Sequence, residues 1–166
     1  MNQTDEVAAV GHLFDQTAKA HKIVMRIPNY REELCALFSF DENLHPIGVY
    51  GVVFPEDGSK AGYLQAMMNK LSEDKAWAYV FLCEGWTVAY DKATKKEDIF
   101  IRPRDDDRRV ECLTMYYESK SGLKQFRSYK IQRKPLDLIP EVKETESVET
   151  IYSGLLEGGL LHGPRK

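Results

Sequence analysis

Between Ala76 and Tyr90 the chain reads Ala-Trp-Ala-Tyr-Val-Phe-Leu-Cys-Glu-Gly-Trp-Thr-Val-Ala-Tyr, its longest apolar run. Aromatic and β-branched residues dominate it, and these suit a pleated, buried surface. The run therefore predicts a central β-strand. Its one charge, Glu84, is followed directly by Gly85, and a glycine there predicts a bulge at Cys83–Gly85. Helix is the competing assignment for a continuous apolar run, which periodicity alone does not distinguish.

The rest of the chain arranges itself around that strand. Val7, Val10, Phe14, Thr17 and His21 recur at helical spacing, so residues 4 to 21 read as an amphipathic helix with Thr4 or Asp5 as its cap. His12 falls off the stripe and His21 closes it, and both read as ordinary helix histidines. Ile23 to Tyr30 contains Pro28 and reads as a short extended lead-in. Leu34–Phe40 and Ile47–Phe54 read as two strands joined by the turn-forming Asp41-Glu-Asn-Leu-His-Pro46. Gly48 and Gly51 in the second strand predict a bend or a close backbone approach. Lys60 to Asp74, capped by Ser59, reads as a second helix with Leu64, Met67, Met68 and Leu71 on one face. Ile99–Ile101 suggests a brief edge strand, and Val110–Glu118 and Leu123–Arg133 form a hairpin around Ser119-Lys-Ser-Gly122. The class is α+β, with a mainly antiparallel sheet of five or six strands and two helices packed on one face. One α+β domain is expected over 1–134. From Pro135 to Lys166 the prolines, acids and glycines suggest a linker and a docking tail bearing Ile151, Tyr152, Leu155, Leu156, Leu160 and Leu161.

A chain of 166 residues is one domain's worth, and its formal charge of −3 sets up no field that would recruit nucleic acid or a membrane. No apolar run reaches membrane-spanning length, and the polar start lacks a secretory pattern. Cys35, Cys83 and Cys112 are odd in number, and each lies inside a predicted strand without a C-x-x-C pair. Reduced, buried thiols in a cytoplasmic protein are the expectation.

Glu84 and Glu111 are the sharpest chemical feature. A carboxylate in an apolar row should pair with a cation or carry a raised pKa, and Arg108 and Arg109 stand nearby in sequence. Glu84, Glu111 and Arg109 are thus the candidate catalytic residues, two carboxylates serving as general acid and base beside a stabilising cation. The alternative is a Glu–Arg cluster that fixes sheet register. Asp105, Asp106 and Asp107 lack the spacing of a calcium loop and read as a solvated loop. Lys120, Lys124, Arg127, Lys130, Arg133 and Lys134 form an acid-free stretch interleaved with Phe126 and Tyr129. Such a strand could hold single-stranded nucleic acid by phosphate pairing and stacking, or it could be an edge guarded by cations. Trp86, Arg108, Tyr117, Lys124, Phe126 and Arg127 are the candidate binding residues. No phosphate loop, dinucleotide fingerprint, zinc signature or nucleophile elbow occurs in the sequence, so no cofactor and no metal site is expected.

Glu84-Gly-Trp86 and Arg109-Val-Glu111-Cys-Leu113, a Glu-x-Trp strand followed by an Asp-Arg-x-x-Glu strand, resemble small uncharacterised bacterial and phage proteins of α+β type. The resemblance covers Lys60 to Tyr129 and implies a bacterial or phage cytoplasmic origin without implying an activity. The expected function is a non-catalytic interaction or accessory protein acting on a protein partner or as a homodimer. A small hydrolase using Glu84 and Glu111 is the alternative, and a single-stranded nucleic-acid binder using residues 120–134 is a further one.

Overall fold

A computed structural model of the chain describes residues 3–30, 35–52, 60–87, 107 and 109–141. Six strands, β1 (Cys35–Phe40), β2 (Pro46–Val52), β3 (Ala78–Thr87), β4 (Val110–Ser119), β5 (Lys124–Arg133) and β6 (Leu136–Glu141), join in one sheet. Their order is β2-β1-β3-β4-β5-β6, and every neighbouring pair is antiparallel. The helices are α1 (Gln3–Val24) and α2 (Lys60–Glu73). The α+β antiparallel architecture is as expected. The expected segment Ile99–Ile101 and residues 142–166 lie outside the described residues, as does Ser59.

β3 is the central strand. It is bonded along β1 on one side and along β4 on the other. Its even residues Ala78, Val80 and Leu82 pack with Val10, Phe14, Ala18 and Met25 of α1 and its C-terminal turn. Its odd residues Tyr79 and Phe81 pack with Met67 and Leu71 of α2. Neighbouring side chains on a strand point to opposite faces, so the helices cover opposite faces rather than one. The physical reason is the apolar run itself: a strand greasy at every position must be covered on both sides. No helix among the described residues is long and apolar enough to cross a membrane.

Four local expectations need correction. β3 and β4 pair in unbroken register from Ala78↔Ser119 to Thr87↔Val110, so no bulge occurs at Cys83–Gly85. The irregularity falls instead between Ser39 and Phe40, where the partners Gly48 and Pro46 leave Ile47 as the extra residue. α1 is already under way at Gln3, which places Thr4 and Asp5 inside its first turn. Ile23–Tyr30 is not extended: α1 runs to Val24, and the amides of Met25, Arg26 and Ile27 bond back to His21, Ile23 and Val24. Asn29 then takes φ +64° and turns the chain toward the sheet, a conformation asparagine tolerates. Finally, Leu136–Glu141, expected within a linker, pairs with β5 as β6, so the sheet extends past residue 134.

Gly48 supplies the close approach expected of it. A Cβ there would sit 2.6 Å from Ser39 Oγ and 2.8 Å from Tyr50 OH, the two groups that donate to Asp74 at the end of α2.

Three tyrosines are built into this core. Tyr79, Tyr116 and Tyr117 are buried. Burial pushes all three phenol pKa values well above the ordinary range, reinforced by Glu118 at Tyr79 and Tyr116 and by the hydrogen bond to Glu6 at Tyr117. A folded-state pKa above the unfolded value gives stability that is complete below about pH 10 and lost as pH rises further. Three such groups predict a loss of about 4 kcal/mol per pH unit above that point. Urea unfolding between neutral and alkaline pH, read with tyrosinate absorbance, checks this. Ionisation of these phenols near pH 10 with the fold intact would contradict it.

Candidate functional site

α1 lies across the sheet face formed by Val80, Leu82, Leu113, Met115 and Tyr117, and three polar groups fix it there. At its N-terminal end Glu6, 0% exposed, accepts hydrogen bonds from Tyr117 OH at 2.9 Å, Ser119 Oγ at 2.6 Å and Ser121 Oγ at 2.7 Å. In its middle Asp15 accepts from Arg127 Nη1 at 2.7 Å and Tyr129 OH at 3.2 Å. Near its C-terminal end His21 meets Glu84.

Glu84 sits in β3 on the α1 face and is 3% exposed. Its Oε1 lies 2.5 Å from His21 Nε2 and accepts a hydrogen bond from Tyr30 OH. Tyr30 OH is also 3.3 Å from His21 Nε2, so imidazole and phenol converge on one carboxylate oxygen. The Tyr30 pKa is pushed far up, first by burial and then by its hydrogen bond to Glu84, which keeps the phenol a donor.

Glu111 stands on the same face. It is the cross-strand partner of Trp86, while Glu84 is opposite Leu113, so the two carboxylates are diagonal neighbours, a spacing of about 7–8 Å between backbones. Arg133 of β5 grips Glu111 with a two-pronged fork: Nε donates to Oε2 at 2.9 Å and Nη2 donates to Oε1. The Arg109 guanidinium lies 4.9 Å from the centre of the Trp86 ring, within cation–π range.

Four of the candidate residues, Glu84, Trp86, Arg109 and Glu111, therefore share one end of one sheet face. The others do not join them. Tyr117 is fully buried under the first half of α1. Arg127 is engaged with Asp15 and the Gly11 carbonyl and lies over Phe14. Lys124 and Phe126 lie on the α2 face, Lys124 3.7 Å from Glu118 and Phe126 against the α2 cluster. Arg108 lies outside the described residues. The alternation of β5 thus divides the basic stretch: Arg127 and Arg133 turn toward α1 and into ion pairs, while Lys124 and Lys130 turn the other way.

Sequence reasoning missed His21, Tyr30 and Arg133. His21 closes the apolar stripe of α1, and a histidine on a core-facing stripe was the available signal. Tyr30 and Arg133 reach the site by a turn and by cross-strand pairing, which carry no local pattern. Chemically, the cluster joins a carboxylate held by imidazole and phenol to a second one neutralised by a guanidinium. His21–Glu84 ties α1 to the sheet at β3, and Glu111–Arg133 ties β4 to β5 within it. Among the described residues, no three His, Cys, Asp or Glu side chains group to hold a metal ion.

Among the described residues, these elements form an antiparallel sheet with one helix on each face, an α+β arrangement. The chain matches no protein-family model, no curated protein and no solved structure.

Proposed function

We propose that this chain is a non-catalytic interaction protein whose contact surface is the outer edge of β2, with a second copy as the partner that edge fits. The observation that supports this reading is the exposure of Val49 (61%) and Ile47 (46%) on a strand at the end of the sheet. Beyond Pro46 at its first position, Ile47–Val52 contains neither a charged residue nor a proline, whereas edge strands that avoid pairing carry charges or prolines along their length. The opposite edge, β6, has both: Asp137, Pro140 and Glu141. Val49 stands beside the half-buried Phe38 of β1, so the apolar strip is continuous across two strands. An uncharged edge suits an uncharged strand, and antiparallel pairing about a two-fold axis lets a second β2 supply it. A cytoplasmic setting goes with an odd number of cysteines that lack a C-x-x-C pair.

Val49→Lys places a charge on this strip without touching the core. Sedimentation of the full chain is expected to show a reversible dimer for the wild type and a loss of association by at least about tenfold for the variant, since a like charge then meets itself across the axis. A wild-type chain that stays monomeric at high concentration would overturn the reading.

The shared face of Glu84 and Glu111 favours a second reading, a hydrolase using this pair. It requires that Glu84→Gln and Glu111→Gln each abolish a hydrolytic activity of the folded chain. Against it, both oxygens of Glu111 accept from Arg133, and Glu84 is already engaged by two donors.

A further inference from the structure

We infer that Cys35 and Cys83 are a redox-active pair that closes to an intramolecular disulfide, with Cys112 excluded from it. Three cysteines in one chain allow three pairings, and the sheet register selects among them. Cys35, the first residue of β1, is directly opposite Cys83 of β3. Both side chains belong to the α2 face. Directly opposed residues in an antiparallel pair have Cα atoms about 4.5 or 5.5 Å apart, and either value lies inside the range of about 4.4–6.8 Å that a disulfide spans. Cys112 is opposite Gly85, two places along from the partner of Cys83, Thr114. That diagonal separation is about 7–8 Å, beyond the disulfide range, and Cys35 is a further strand away. Cys112 Sγ points to the Gly85 carbonyl at 3.6 Å.

Accessibility orders the chemistry. Cys35 is buried and Cys83 is half-buried, so in the reduced chain the Cys83 thiol is the one a small oxidant reaches first. A low-molecular-weight disulfide is the oxidant. The Cys83 thiol loses its proton, and its sulfur attacks one sulfur of the oxidant. A mixed disulfide forms and one small thiolate departs. The Cys35 thiol loses its proton, and its sulfur attacks Cys83 Sγ, breaking the mixed bond and releasing the second small thiolate. The two departing thiolates take up the two protons. Two electrons pass from the cysteine pair to the oxidant, and β1 becomes stapled to the central strand around a loop that contains β2 and α2.

The test is incubation of the full chain with oxidised glutathione, followed by thiol counting in denaturant and non-reducing peptide mapping. The expected result is a fall from three thiols to one, a single Cys35–Cys83 linkage, and a rise in Tm of about 10 °C that dithiothreitol reverses. Cys112→Ser should leave the linkage and the Tm shift unchanged, whereas Cys35→Ser should stop at the glutathione adduct on Cys83. Three thiols persisting in the oxidised wild type, or a linkage that includes Cys112, would overturn the assignment.

Discussion

His21→Ala is expected to destabilise the fold by about 2–4 kcal/mol, from the hydrogen bond lost to a buried carboxyl group and the cavity left behind. Glu84 is enclosed by the last turn of α1 and by Leu82 and Leu113, with 3% of its surface exposed. Taking away the imidazole removes a hydrogen-bond partner of Oε1 and opens a void of side-chain size. The buried carboxyl group is then one donor short or draws water into the sheet face, and either response costs stability. Replacing both residues, in His21→Leu/Glu84→Leu, should restore most of the loss, because a well-packed apolar pair leaves no buried polar group to satisfy. Urea unfolding of the wild type, the single variant and the double variant at neutral pH measures the difference. A single variant within 1 kcal/mol of wild type would show that the contact does not hold α1.

Glu6→Ala is expected to cost about 2–4 kcal/mol for a related reason. Its carboxylate is the common acceptor for Tyr117, Ser119 and Ser121, and Tyr117 and Ser119 are themselves 0% exposed. Hydroxyls that lose their acceptor in a closed site are costly, and the two carbons and two oxygens removed leave an unfilled space. Glu6→Gln should fall between wild type and alanine, since one amide oxygen still accepts while the amide nitrogen meets hydroxyls that must reorient. Thermal unfolding monitored by circular dichroism reads the ranking. Equal stability of the alanine and glutamine variants would contradict the role given to the acceptor oxygens.

Strands and helices were legible in this sequence where a local pattern dictates them. The spacing of Val10, Phe14 and His21 predicts α1, and Met67, Leu71 and their neighbours predict α2. The turn residues Ser119-Lys-Ser-Gly122 predict the β4–β5 hairpin, in which Gly122 takes φ +88°. The central place of Ala78–Thr87 follows from its unbroken apolar character. The same character calls for cover on both faces, which is where α1 and α2 lie. β6 was hidden by Pro135 and Pro140, which fit a linker in isolation but are tolerated in a strand at the sheet's edge. The partner of Glu84 was hidden for a different reason. Arg109 is close in sequence and lies over the Trp86 ring, while the described groups bonded to Glu84 include His21 and Tyr30, which come from elsewhere in the chain. Side-chain pairing across elements depends on how the helix crosses the sheet, and no local pattern records that angle.

The exposed strip on β2 is the feature on which the proposed function rests, and amide hydrogen exchange of the full chain at rising concentration tests it most directly. Peptides covering Pro46–Val52 should gain protection as concentration rises, because outward amides of the edge strand become paired between copies. Peptides covering Leu136–Glu141, the charged edge on the other side, should not change. Exchange at β2 that is the same at every concentration would contradict the account.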